Sequence, residues 1–218
     1  ETTNPAGFNI ISDTELTVTV PSDATTGFIT ITNSRGTGSS TTEFTVVQKP
    51  TITSISPLKG VTGEKVVITG TEFLGEGVVV TFMGAEGAAD EVIATTLTVD
   101  SQTQITATVP TGAITGQLMV TNAAGNSELS AQTYEVVTTP EIISFNPTTG
   151  KVGDQVKITG WLLDEVTEVD FNGVLAVPTF NSADNSLTVL VPDGATTGPL
   201  SLVVDGATVF TTTDLYTV

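Results

Sequence analysis

The sequence contains no cysteine and no histidine. Without cysteine, a disulfide framework, a thiolate metal site and a cysteine nucleophile are all excluded. Without histidine, the chain lacks the most frequent catalytic base, and none of its serines lies in a Gly-x-Ser-x-Gly motif. Nothing in the sequence places two acidic side chains across a cleft, as glycoside hydrolysis requires. We therefore predict that the chain is not an enzyme and that it uses no metal and no cofactor.

Basic residues are scarce: Lys and Arg together number 6 against 24 Asp and Glu, which gives a net charge of −18. Such a field repels a polyanion, so we predict no nucleic-acid partner. The longest apolar runs, at 77–80 and 189–191, are far shorter than the roughly 20 residues that span a bilayer. We therefore predict no membrane insertion.

The chain repeats itself, which is its most informative feature. Nine positions of one skeleton recur 90 positions later with the same residues. The first copy is Pro50, Ile52, Ser54, Pro57, Gly60, Gly63, Val66, Ile68 and Gly70, and the second is Pro140, Ile142, Ser144, Pro147, Gly150, Gly153, Val156, Ile158 and Gly160. A match of this density indicates two copies of one module.

The closing half of the unit occurs three times. It starts with an alternating strand pattern that ends in Pro, continues to a Gly six positions later, and finishes with an aromatic residue and a valine. The three copies are 16–21 with Gly27, Phe44 and Val46; 105–110 with Gly116, Tyr134 and Val136; and 187–192 with Gly198, Tyr216 and Val218. The first copy lacks its opening half, so we predict a half module at 1–48 and complete modules at 49–138 and 139–218.

Within each unit the hydrophobic period is two, as in strands that bury one face. Turn residues interrupt the pattern about every ten positions, which predicts roughly seven strands per module. No window shows a helical period. The predicted fold is therefore all-β, a tandem array of immunoglobulin-like Greek-key β-sandwiches. The linkers at 48–50 and 138–140 are so short that neighbouring modules should stand end to end with limited hinge freedom.

This skeleton resembles the IPT/TIG family. The resemblance rests on the opening repeat, on Phe73 and 82–84 after it, and on the closing Val109, Pro110 and Gly116. These immunoglobulin-like domains are shared by plexins, some transcription factors and many bacterial surface proteins. The charge opposes the DNA-binding role, and the absence of cysteine departs from plexin-like receptors. The resemblance thus implies the bacterial surface setting, where tandem copies serve as spacers or as parts of adhesive and glycan-binding assemblies.

The first unit starts in its middle. Half a sandwich exposes apolar strand faces and unpaired edges, which favours aggregation. Three explanations are open: the chain is a fragment of a longer polypeptide, another subunit donates the absent strands by β-augmentation, or a degenerate first unit packs on its neighbour. The polar residues Glu1, Thr2 and Thr3 carry no leader pattern, so we expect that this is not the start of the gene product.

Trp161 is the only tryptophan, and it follows Gly160 where the central module has Thr71. Because Phe73 and its counterpart Leu163 hold the inward register, we expect Trp161 to lie in a loop with an exposed face. Exposed aromatic rings stack on sugars, so Trp161 is the candidate ligand-binding residue for a polysaccharide. The competing interpretation is a rim residue that covers the core or packs on an adjacent module.

Two charged groups are weaker candidates. The densest acidic stretch, Asp164, Glu165, Glu168 and Asp170, lacks the alternate-residue spacing of a calcium loop, so we interpret it as a solvated edge. Lys65 and Lys157 would be the candidates for an isopeptide crosslink. They do not align in the repeat, and both fall on the outward register, which disfavours that chemistry.

We therefore predict an extracellular or cell-surface protein of prokaryotic type. Its rigid tandem modules would form a spacer, or the repeating body of an adhesive surface appendage or filament that self-assembles by strand complementation. Its partners would be proteins, either copies of itself or neighbouring modules of a longer chain. The alternative is a carbohydrate-binding module of a surface glycan-capture protein, with Trp161 on its platform.

Overall fold

The computed structural model describes residues 7–21, 23–84 and 87–218. These residues form 22 β-strands and one short 3₁₀ helix, Leu163–Glu165. The all-β prediction is confirmed. No helix within the described ranges is long and apolar enough to cross a membrane.

The first unit contributes two separate two-stranded antiparallel sheets, one formed by the first two strands and one by the next two. Its strands are β1 (Phe8–Ile10), β2 (Leu16–Val18), β3 (Gly27–Asn33) and β4 (Gly36–Phe44).

The central module is a sandwich of two four-stranded antiparallel sheets. Its strands are β5 (Thr51–Ser56), β6 (Lys59–Gly60), β7 (Lys65–Thr71), β8 (Val79–Gly84), β9 (Gly87–Ile93), β10 (Leu97–Ser101), β11 (Gln104–Thr108), β12 (Gly116–Asn122), β13 (Gly125–Asn126) and β14 (Glu135–Val136). One sheet has the order β10-β11-β7-β5 and the other β13-β12-β8-β9, while β14 and β6 form a short parallel pair.

The last module repeats this architecture. Its strands are β15 (Glu141–Asn146), β16 (Gln155–Trp161), β17 (Glu168–Phe171), β18 (Leu175–Ala176), β19 (Thr179–Asn181), β20 (Ser186–Leu190), β21 (Gly198–Val204) and β22 (Ala207–Tyr216). The sheets run β15-β16-β20-β19 and β18-β17-β21-β22. Among the described residues the central module thus has 10 strands and the last module 8, against the roughly seven predicted for each.

Each complete module has its own hydrophobic core, and the period-two pattern predicted its members. In the central module, alternate residues of β7, β11 and β12 are fully buried: Val66, Ile68, Ile105, Ala107, Leu118 and Val120. In the last module the counterparts are Val156, Ile158, Leu187, Val189, Leu200 and Leu202. The immunoglobulin-like sandwich is confirmed for both modules.

The strand that carries the Val-x-Ile-x-Gly pattern ends at the same backbone feature in both modules. Glu72 and Leu162 take the left-handed conformation, with φ of 60° and 52°. This conformation is uncommon outside glycine and turns the chain sharply. The following residues, Phe73 and Leu163, are then fully buried, as the sequence predicted.

All three units have a hydroxyl side chain that makes the same two backbone hydrogen bonds. The side chains of Ser40, Ser130 and Thr212 accept the backbone N–H of Ile29, Leu118 and Leu200, and each donates to the carbonyl oxygen two residues further on. A hydroxyl can serve both groups because it is donor and acceptor at once. Each hydroxyl lies four residues before the closing aromatic residue.

Candidate functional site at the module junction

Lys59 connects the two complete modules. It lies on β6 of the central module, beside Glu135 of β14, and its Nζ is 2.9 Å from Glu135 Oε1. The same Nζ is 2.6 Å from Glu141 Oε2, which belongs to the first strand of the last module. It also lies 5.2 Å from the ring centroid of Trp161, within the range of a cation–π contact. One ammonium group therefore holds both sides of the linker.

Trp161 is not in a loop, which corrects the sequence-based expectation. It is the last residue of β16 and stands opposite Glu141 in the ladder. The strand extends to residue 161 because the left-handed turn comes one residue later, at Leu162. The ring is half-buried, with Lys59 against it. Its assignment as a sugar-stacking residue stays a prediction.

The charge on Lys59 is stabilised at this position. Partial burial lowers the pKa of Lys59, but hydrogen bonds to Glu135 and Glu141 and their negative charges outweigh that effect and raise its pKa above the usual range. A raised lysine pKa means that the charged form stabilises the contact at all pH values below the ordinary lysine range, and that this contribution is lost only as the pH rises through the raised value. Lys59 is therefore positively charged at neutral pH.

The four junction side chains replace threonines of the repeat. Lys59 corresponds to Thr149, Glu135 to Thr217, Glu141 to Thr51 and Trp161 to Thr71. In the central module, the equivalents of the last two form an ordinary exposed hydroxyl pair, with Thr51 Oγ1 and Thr71 Oγ1 2.8 Å apart. The sequence reasoning missed Lys59, Glu135 and Glu141. The available signal was the loss of repeat identity at these positions.

A family model for the IPT/TIG domain matches residues 50–136 and 140–218. The chain belongs to the IPT/TIG family. The two matched segments are separated by residues 137–139. The group formed by Lys59, Glu135, Glu141 and Trp161, which we call the Lys59 cluster, therefore lies where one IPT/TIG module meets the next. Within the linker region, Val137 and Pro140 are buried, whereas Thr138 and Thr139 between them are exposed, so the connection packs against the modules at its two ends.

Two solved structures are similar in fold. One is a complex with a xylogluco-oligosaccharide, at 20% identity and a TM-score of 0.50; the match covers 92% of this chain and 49% of that one. The other is the SGBP-B protein of the Bacteroides ovatus mixed-linkage glucan utilization locus, in complex with a mixed-linkage heptasaccharide, at 18% identity and a TM-score of 0.51; it covers 85% and 50%. The chain therefore spans about half the length of these structures. No curated protein sequence matches the chain.

The remaining charged candidates do not converge on a site. Asp164 and Glu165 are exposed in the 3₁₀ helix, and no group of three or more potential metal-ligating residues occurs in the described ranges. Lys65 is exposed, as its outward register predicted. Lys157 is also exposed and pairs with Asp184, Nζ to Oδ2 2.6 Å, where it lowers the pKa of that carboxyl group.

Each IPT/TIG module buries one tyrosine whose hydroxyl oxygen has no hydrogen-bond partner among the described residues. Burial raises the pKa of Tyr134 to about 12, and the Glu64 carboxylate adds to the rise. Burial and then Asp154 raise the pKa of Tyr216 in the same way. A glycine gives each hydroxyl its space, since a Cβ on Gly60 would lie 2.5 Å from Tyr134 Oη.

We expect both tyrosines to titrate later in the folded chain than in the unfolded one. An unfolded tyrosine ionises near about pH 10. Since the folded pKa values are higher, the contribution of the two tyrosines to the free energy of unfolding should be constant below that pH and should fall as the pH rises from about 10 towards 12. Tyrosinate absorbance, measured with and without guanidinium, checks this. The chain has only 2 tyrosines, so Tyr134→Phe should remove half of the signal. Identical titration curves under both conditions would contradict the expectation.

Proposed function

We infer that this chain is a non-catalytic, rigid spacer of an extracellular bacterial surface protein, which holds a separate binding part away from the cell. The observation that carries this inference is the Lys59 cluster. A linker of three residues alone permits relative motion of two small domains. A linker whose two ends are held by the buried Val137 and Pro140, beside an ammonium group shared by carboxylates of both modules, opposes that motion.

The similar structures support the setting. This chain matches about half of their length, and they were solved with a xylogluco-oligosaccharide and a mixed-linkage heptasaccharide. A spacer that accompanies a glycan-binding part fits a chain whose own surface offers few aromatic platforms. The exposed phenylalanines of the described residues are Phe8, Phe28, Phe44 and Phe180, and the first three belong to the first unit. Self-assembly into a filament by strand complementation stays a prediction.

Removing the Lys59 charge should loosen the junction. We expect Lys59→Met to broaden the distance distribution between the two modules by about twofold, because unrestrained neighbouring domains move by default. The natural chain has no cysteine, so cysteine pairs can be introduced freely for spin labels, for example at the exposed Thr95 and Ser182. Pulsed electron spin resonance then measures the distribution.

The matched control is Lys157→Met, which removes the same charge from an exposed pair inside the last module. It should leave the distribution unchanged. A distance distribution in Lys59→Met as narrow as in the unchanged chain would contradict the rigid junction.

A second experiment tests the glycan-capture alternative by calorimetry with xyloglucan and mixed-linkage glucan. If the chain is a spacer, we expect no heat of binding with either polysaccharide. Binding that is lost in Trp161→Ala would instead favour a carbohydrate-binding module with Trp161 in its binding surface.

A further inference from the structure

The linker between the first unit and the central module is held at both of its ends. On the side of the first unit, the N–H of Val46 donates to Thr26 Oγ1 at 3.0 Å. On the side of the central module, the carbonyl oxygen of Gln48 accepts a hydrogen bond of 2.7 Å from Asn122 Nδ2. Only Val47 separates the two anchored residues. Few backbone dihedral angles are therefore free to let the two units pivot against each other.

Asn122 is a buried polar residue at the end of β12, and it is only 5% exposed. Its Nδ2 also donates to the carbonyl oxygen of Glu72, at 3.1 Å, so one amide joins the linker to the left-handed corner that follows β7. Its Oδ1 accepts the N–H of Ala124 in the next turn, at 2.8 Å. A buried amide with these bonds made favours a single geometry, because a displacement of the linker would leave a buried donor unpaired.

Comparison of the three units separates the two roles of this amide. In the first unit the counterpart is Asn33, and its Oδ1 makes the same turn bond, to the N–H of Arg35 at 2.8 Å. The oxygen therefore serves the turn, whereas the two Nδ2 bonds of Asn122 serve the linker and the corner. In the last module the counterpart is Val204, whose side chain has no donor. There the Lys59 cluster joins the two sides of the linker instead.

The neighbouring residues of the first linker add further contacts. The side chain of Gln48 reaches back to the first unit, where its Nε2 donates to the carbonyl oxygen of Ala24 at 3.3 Å. The stem of Lys49 packs on the turn between β12 and β13, since a Cβ on Gly125 would lie 3.2 Å from Lys49 Cε. Pro50 is buried. The first junction is thus held by hydrogen bonds between uncharged groups and by packing.

We propose that Asn122 is the positioning residue of the first junction, so that the array has one junction held by uncharged groups and one held by charges. The proposal rests on the spacer function and adds which junction responds to ionic strength. The Lys59 ion pairs are partly exposed, and salt screens such charges, with a Debye length of about 3 Å at 1 M. Hydrogen bonds between a buried amide and carbonyl oxygens involve no net charge. High salt therefore loosens the Lys59 junction and leaves the Asn122 junction unchanged.

Two pairs of spin labels in the full chain measure the two junctions separately. Labels at the exposed Thr17 and Thr95 span the first junction, and labels at Thr95 and Ser182 span the second. We expect Asn122→Asp to broaden the first distance distribution about twofold and to leave the second unchanged. Aspartate keeps an oxygen for the turn but removes both amide donors. Asn33→Asp is the matched control, because it makes the same exchange at the equivalent turn, and it should change neither distribution.

A second variant and a change of salt make the result specific. Asn122→Val copies the residue of the last module at this position, introduces no buried charge, and should also broaden only the first distribution. Sodium chloride at about 1 M should broaden the second distribution of the unchanged chain about 1.5-fold and leave the first as it is.

The outcomes separate this proposal from the spacer function. A first distribution that stays narrow in both Asn122 variants would overturn the proposal. Broadening of both label pairs by these variants would do the same, because the amide would then support the whole central module rather than the linker. Equal effects of salt on the two junctions would also overturn it. A second distribution that Lys59→Met leaves narrow contradicts the rigid Lys59 junction of the spacer, whatever the Asn122 variants show.

Discussion

Replacing Gly160 with alanine should destabilise the last module by about 3 kcal/mol, the upper range for forcing extra atoms into a well-packed region. A Cβ at this position would lie 1.9 Å from the backbone oxygen of Glu141 and 3.2 Å from Leu163 Cδ2. The oxygen belongs to the neighbouring strand β15, so it cannot swing aside as a side-chain end could. The strand would have to separate from β16, which would also displace Glu141 from Lys59.

Urea denaturation followed by tryptophan fluorescence measures this effect directly, because the only tryptophan is the next residue, Trp161. Gly38→Ala is the matched control. No atom lies within 4 Å of a Cβ at Gly38, and its φ is not left-handed, so its cost should stay within about 0.5 kcal/mol. Gly70→Ala should cause a similar loss of stability in the central module, because a Cβ at position 70 would lie 1.8 Å from the backbone oxygen of Thr51. Equal stability of Gly160→Ala and Gly38→Ala would show that β15 can move without cost.

Leu118→Ala should destabilise the central module by about 3 kcal/mol, since it removes a fully buried side chain and leaves a cavity. Ile29→Ala, at the same register position of the first unit, should cost about 0.5 kcal/mol, because that side chain is already 44% exposed. Chemical denaturation followed by circular dichroism compares the two variants. A comparable loss for both would mean that Ile29 is covered in solution, which would change the account of the first unit.

Local pattern predicted the fold because strand geometry is local. Successive side chains of a strand point to opposite faces, so the alternation at Val66 and Ile68 already determines which side is inward. The repeat then extended this from one copy to the next. One repeated signal was missed: the hydroxyl residues Ser40, Ser130 and Thr212 recur at a constant distance before the closing aromatic residues. Alignment of the three closing halves contains that pattern, although not its hydrogen bonds.

The junction could not be predicted in the same way. Lys59 and Glu141 are far apart in sequence and lie in different modules, so their 2.6 Å contact depends on the angle at which the modules meet. The location of Trp161 depended on a single backbone conformation, since the left-handed turn falls at Leu162 rather than before the tryptophan. A side-chain pattern with period two does not show at which residue a strand ends.

By itself, the sequence determined the class of fold, the repeat and the inward residues of each strand, because these follow from alternation along one strand and from comparison of copies. Only the tertiary structure decided which charges meet across the linker, how Trp161 is packed and which apolar side chains stay exposed. These depend on distances between separate strands and modules, and a one-dimensional pattern carries no such distances.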